Sequence, residues 1–165
     1  MPSLPQVLLT RPQALAKRLL PALQAAGLQG LILPAIEILP PPQPALLLQT
    51  LEHYREADGS QALAIFVSPS AVLQVAAVLA GRGWPKGLAL AAVGQGTAAL
   101  LRQCSGQAVL APADGGDGAA LLALPEMQSL AQRTVLLCRG QRGRESLVQG
   151  LRAAGAQLEV LCCYA

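Results

Sequence analysis

Three short turns combine the residue types that bind an acidic group without a lysine side chain. They are Ser68-Pro69-Ser70, Gly94-Gln95-Gly96-Thr97 and Arg139-Gly140. In each, a short apolar run ends and a helical pattern begins at the turn or a few residues after it. The free N–H groups at the start of a helix, together with its dipole, attract anions. The three turns therefore predict a site for carboxylates or phosphates.

The elements that must position these turns recur as strand, tight turn and helix. The predicted strands of this region are Ala62–Val67, Leu88–Val93, Val109–Leu110, Thr134–Cys138 and Gln157–Tyr164. Strands that alternate with helices in this way are typical of a doubly wound parallel sheet, here five-stranded and flavodoxin-like. In such a sheet the ligand site lies at the carboxyl ends of the strands, where the three turns fall.

The N-terminal region predicts one βαβ unit, with strands at Gln6–Thr10 and Gly30–Leu33 around a helix at Gln13–Ala26. We therefore expect an incomplete first domain at 1–34, a linker strand with a proline-rich spacer at 35–43, a second domain at 44–157, and a return linker strand at 158–165. Two strands cannot bury the apolar face of a sheet by themselves. We expect this unit to associate through that face or to be poorly ordered.

The composition excludes several classes of protein. With 165 residues, 53% of them hydrophobic and 13% charged, the chain can bury a core. An aromatic content of 2% and a net charge of +3 argue against a nucleic-acid partner. No apolar run is long enough to span a membrane, and the N-terminus lacks a signal-peptide pattern, which predicts a cytoplasmic protein. The four cysteines lack metal-ligand spacing, so no metal site is expected.

The order of the motifs resembles the uroporphyrinogen-III synthase family of tetrapyrrole (heme and porphyrin) biosynthesis. The matching landmarks are Thr10-Arg11-Pro12, Pro34 with Ile36, Phe66–Val72, Val93-Gly94 with Thr97-Ala98, Arg139-Gly140 with Gly143-Arg144-Glu145, Gly155-Ala156 and Tyr164. Ser70 stands where the family usually has asparagine. The sequence stops at Ala165, whereas in the family the chain then returns to complete the first domain.

The resemblance implies a cofactor-free lyase acting on a small molecule. It would close the linear tetrapyrrole hydroxymethylbilane into uroporphyrinogen III, inverting the last pyrrole ring through a spirocyclic pyrrolenine and eliminating water. The family binds the eight carboxylates of its substrate in a cleft between two α/β domains. We expect no synthase activity without the return segment, and we expect Gly30–Ile38 to run beside Leu158–Tyr164 as a two-stranded connection.

The resemblance also implies roles for individual residues. Tyr164 would donate a proton to the leaving hydroxyl, and the residues that contact the substrate would be Arg11, Ser68, Ser70, Gly94, Thr97, Arg139 and Gly140. Simpler roles stay open for all of them. The hydroxyl residues can cap helices, the arginines can be solvated, and the phenol can serve packing alone.

Two alternatives belong to other functional classes. Gly94-Gln95-Gly96-Thr97-Ala98-Ala99 fits the pattern G-x-G-x-x-A of dinucleotide-binding proteins, and Asp114 follows about 20 residues later. The chain could equally be a non-catalytic α/β binding module. His53 is the only histidine, which excludes a Ser–His or Cys–His mechanism.

Overall fold

The structure is a computed structural model that describes residues 4–55, 62–114 and 116–165. The chain forms two compact units, Met1–Leu39 and Pro40–Ala165. The division between them falls inside the linker that the sequence predicts at 35–43. The structure has no strand between residues 33 and 43, so the linker strand predicted there is wrong. The prolines at 40–42 and 44 remove backbone donors that such a strand would need.

The first unit contains two parallel strands and two short helices. These are β1 (Gln6–Leu9), α1 (Gln13–Lys17), α2 (Leu20–Ala25) and β2 (Gln29–Ile32). The single helix predicted over Gln13–Ala26 is therefore wrong. Pro21 lies in the first turn of α2, where its missing N–H is tolerated, but it cannot continue a helix that arrives from α1.

One face of this small sheet is apolar and open to solvent. Leu8 and Leu31 are register partners on β1 and β2 and are 55% and 41% exposed. Leu33, just after β2, is 63% exposed. The opposite side is covered, because a Cβ at Gly30 would lie 2.6 Å from Leu20 Cδ2. The unit thus exposes an apolar face, as expected for two strands that lack further partners.

The second unit alternates strands and helices. Its elements in chain order are α3 (Pro44–His53), β3 (Ala62–Phe66), α4 (Pro69–Leu79), β4 (Ala89–Ala92), α5 (Gln95–Ser105), β5 (Val109–Leu110), α6 (Gly118–Leu122), a 3₁₀ turn (Pro125–Met127), β6 (Thr134–Gly140), α7 (Glu145–Ala153) and β7 (Gln157–Tyr164). The sequence from Pro44 predicts a helix that ends at Ala57; α3 ends at His53, and residues 56–57 lie outside the described residues.

The five strands of the second unit form one parallel sheet in the order β5-β4-β3-β6-β7. The predicted five-stranded, doubly wound parallel sheet is confirmed. Numbered within the unit, the strand order is 3-2-1-4-5, whereas flavodoxin itself has the order 2-1-3-4-5. The direction of winding reverses between β3 and β6, which places the topological switch point there.

Helices cover both faces of the sheet, so its central strands are buried. One core cluster joins α3, α4 and α5 to side chains such as Phe66 and Cys138, and the other joins α6 and α7 to side chains such as Ile65 and Leu137. All five residues of β3 are buried. This explains why β3 is a continuous apolar run and not an alternating one.

Candidate functional site

The carboxyl ends of β3 and β6 meet at the switch point. They are adjacent parallel strands, with Phe66 in register with Cys138. Ser68 therefore follows β3 close to Arg139 and Gly140 at the end of β6. In open α/β sheets this is the position where ligands bind. Two features occupy it on opposite faces of the sheet, a hydroxyl pair beside the α4 side and a cavity beside α6 and α7.

The hydroxyl pair consists of Ser68 and Tyr164. The Ser68 Oγ and the Tyr164 phenol oxygen are 3.1 Å apart and share a hydrogen bond in which either can donate. Ser68 is also the N-cap of α4, since its Oγ accepts a hydrogen bond from the Ala71 N–H at 3.2 Å. Because the cap uses only a lone pair of Ser68, its proton is free for the phenol oxygen. The cap thus fixes Ser68 where it can orient Tyr164.

Gly140 makes room for the Tyr164 ring. A Cβ at Gly140 would lie 2.6 Å from Tyr164 Cε2 and 2.7 Å from Cζ, closer than real Cβ contacts. The pairing of β6 with β7 is also irregular here, with a shift between Arg139 and Gly140 that brings Tyr164 opposite Gly140. Such a bulge redirects a side chain at the end of a strand. Tyr164 consequently packs on the same core cluster as Phe66 and Cys138.

The second feature is a cavity of about 350 Å³ on the α6 and α7 side of the sheet. It is lined by Leu137 and Arg139 of β6 and by Val67 and Val93, which directly follow β3 and β4. The remaining wall comes from the loops and helix starts around α6 and α7, namely Gly116, Asp117, Gly118, Ala119, Gly143, Arg144, Ser146 and Leu147. Successive residues of a strand point to opposite faces, so Arg139 lines this cavity while Gly140 contacts Tyr164.

Arg139 is the most buried charged group of this edge, with a side chain that is 15% exposed. Its Nη2 donates to Glu145 Oε1 at 3.2 Å, and the Glu145 side chain is 65% exposed. The Nε and Nη1 of Arg139 are buried and have no hydrogen-bond partner in the described protein. A buried guanidinium normally has most of its donors satisfied, so these two unpaired nitrogens are unusual.

The glycine-rich turn at Gly94 is packed and not open. A Cβ at Gly94 would lie 3.1 Å from Gly116 Cα, and the Gln95 side chain donates to the Pro112 carbonyl oxygen at 2.7 Å. Gly94 is thus required by the close approach of another loop. Thr97, in the first turn of α5, is only 6% exposed.

Burial also keeps the thiol of Cys138 protonated. A hydrogen bond with Cys163 and desolvation raise the pKa of Cys138 well above its usual value. Both cysteines are fully buried on the α3–α5 side of the sheet. A neutral, buried thiol is a poor nucleophile, so these cysteines act as core residues.

Comparison with known proteins decides the family. The sequence profile of the family described as uroporphyrinogen-III synthase HemD matches residues 17–165. The chain belongs to the uroporphyrinogen-III synthase family. It is 34% identical over 160 residues to the uroporphyrinogen-III synthases of Salmonella typhimurium and of Escherichia coli, covering 96% of this chain and 63% of each relative. The Proteus mirabilis enzyme is 31% identical over 160 residues, with 78% of its length covered.

Solved structures of uroporphyrinogen III synthase share the fold. Two structures of the Thermus thermophilus enzyme match with a TM-score of 0.57, at 18% and 21% identity. They cover 97% of this chain, and the chain covers 62% and 61% of theirs. The chain therefore spans a little over three fifths of the length of these family members.

The residues that the resemblance proposed for a synthase site fall into three groups. Ser68, Gly140 and Tyr164 are in contact, and Arg139 lies on the other face of the same strand end. Ser70 and Thr97 are buried in the first turns of their helices, at 9% and 6% exposure, and Gly94 is the N-cap of α5. Arg11 is exposed in the first unit, directly after β1.

The sequence reasoning missed the loop residues that complete the cavity. Gly116 and Asp117 line it, and Asp117 caps α6 by accepting the Ala120 N–H at 2.9 Å. Gly143 approaches Arg139 so closely that a Cβ there would lie 2.9 Å from Arg139 Nη1. The signal that could have indicated them is the run Asp114–Gly118, whose Asp and Gly residues are typical of a tight backbone turn.

Neither a metal nor a membrane finds support in the described part of the chain. Within residues 4–55, 62–114 and 116–165, no cluster of three or more His, Cys, Asp or Glu could hold a metal ion. None of the helices described is long and apolar enough to cross a bilayer.

The dinucleotide alternative is weakened because its glycine motif follows β4, away from the switch point, and because Gly94 of that motif packs against the loop at Gly116.

Proposed function

We propose that the chain acts in uroporphyrinogen-III synthesis as a cofactor-free, cytoplasmic lyase that converts hydroxymethylbilane into uroporphyrinogen III. The family match over residues 17–165 is the observation that carries the proposal. The chain covers 63% of the length of its Salmonella and Escherichia relatives. The proposed activity therefore concerns the part of a synthase that this chain represents.

The proposed chemistry assigns the departing hydroxyl to Tyr164. Ser68 donates its proton to the phenol oxygen, which leaves the phenol proton free to move to the hydroxyl as the C–O bond breaks. Water leaves, which makes Tyr164 a phenolate and the bilane an azafulvenium cation, and the proton that the bilane loses as the macrocycle is completed returns to Tyr164. Attack by the substituted carbon of the last ring then gives the spirocyclic intermediate, and its rearrangement produces the inverted ring. The 3.1 Å separation of the two oxygens supports this assignment.

The rest of the proposed site holds the carboxylates. The start of α4 at Ser68–Ser70 and the start of α5 at Gly94–Thr97 offer free N–H groups, and Arg139 offers a guanidinium. Arg11 is proposed as a contact from the first unit. Because ring closure without inversion is the competing reaction, the main task of these groups is to hold both ends of the bilane in a reactive geometry.

The test is to incubate the purified 165-residue chain with hydroxymethylbilane and to separate the type I and type III isomers after oxidation. Binding of uroporphyrin III is measured in parallel by its fluorescence anisotropy. Type III product above spontaneous closure means that this chain suffices for synthesis. Binding without turnover identifies the chain as the substrate-holding part of a synthase.

Two variants sharpen the test. Tyr164→Phe should abolish any type III product while retaining tetrapyrrole binding, and Tyr54→Phe at the end of α3 is the matched control. Thr97→Val should weaken binding by about 1–2 kcal/mol, the scale of a lost hydrogen bond to a charged group. If the chain shows neither binding nor turnover, the proposal is wrong, and a non-catalytic module that binds another ligand replaces it.

A further inference from the structure

We draw no further inference here: the strongest candidate, the groove between the start of α3 and the edge strand β7, in which Leu46 and Val160 are exposed, carries none because nothing in the structure shows what covers it.

Discussion

Replacing Gly140 by alanine tests whether the end of β6 is built around the Tyr164 ring. The new Cβ would lie 2.6 Å from Cε2 and 2.7 Å from Cζ of that ring. The ring is rigid, so these atoms can move only if the whole ring moves. We expect overpacking to cost about 1–3 kcal/mol. Displacing the ring also breaks the bond to Ser68, which adds about 0.5–1.5 kcal/mol. The free energy of unfolding should therefore fall by about 1.5–4.5 kcal/mol.

The assay is urea unfolding followed by the fluorescence of Trp84, the only tryptophan, which packs against Phe66 in the second unit. The same substitution is repeated in a Tyr164→Ala background, where no ring is left to clash. There Gly140→Ala should cost less than about 0.5 kcal/mol or stabilise, since alanine lowers the entropy of the unfolded chain. The coupling energy between the two positions should thus be about 1 kcal/mol or more.

Gly96→Ala is the matched control, because a Cβ there meets nothing within 4 Å. It should change the free energy of unfolding by no more than about 1 kcal/mol, in the stabilising direction. Equal costs of Gly140→Ala in the wild-type and Tyr164→Ala backgrounds would refute the reasoning, because the loss would then have a source other than the ring.

Three further predictions concern the cap, the buried thiol and the exposed apolar face. Ser68→Ala should lower the free energy of unfolding by about 1–2 kcal/mol in urea titrations, more than the roughly 1 kcal/mol of Asp117→Ala, because Ser68 caps a helix and also binds Tyr164. The pKa of Cys138 is raised in the folded chain, so its stabilising contribution is full below about pH 8.5 and is lost above it, by up to about 1.4 kcal/mol per pH unit. Urea unfolding between pH 7.5 and 10 should show this slope, and Cys138→Ala should reduce it, whereas an unchanged slope contradicts the assignment. Leu31→Ser makes the exposed apolar face of the first unit more polar, so it should lower the average mass that sedimentation measures at increasing protein concentration. Leu46→Ser changes an exposed leucine of the second unit and should leave that mass unchanged.

Much of the fold could be predicted because the strands of the second unit are buried on both faces. β3 and β6 are therefore continuous apolar runs, which no surface element would tolerate. Ser68 could be predicted as a cap from its place before Pro69, and its bond to the Ala71 N–H agrees. Both features depend on residues that are neighbours in the sequence, so the sequence alone can predict them.

The predictions failed where distant parts of the chain decide. The helix expected over Gln13–Ala26 is interrupted at residues 18–19, just before Pro21, which could have marked the break. The strand expected at 35–43 is absent from the described chain, because its prolines and its lack of a pairing partner outweigh the alternation of Ile36 and Ile38. The order of the strands could not be predicted from the sequence, since each strand–helix unit looks alike and carries no mark of which neighbour it will join.

By itself the sequence determined the α/β class, the five parallel strands, the ends of the strands where a ligand can bind and the family, since spacing, apolar runs and turn residues are local. The tertiary structure alone decided that Ser68 meets Tyr164 across 96 positions of the chain, that Gly140 accommodates a ring, and that Arg139 is buried with two unpaired nitrogens beside Gly143. The physical reason is the switch point between β3 and β6. It joins strand ends that are far apart in sequence, and only their packing fixes which side chains touch and which donors stay free.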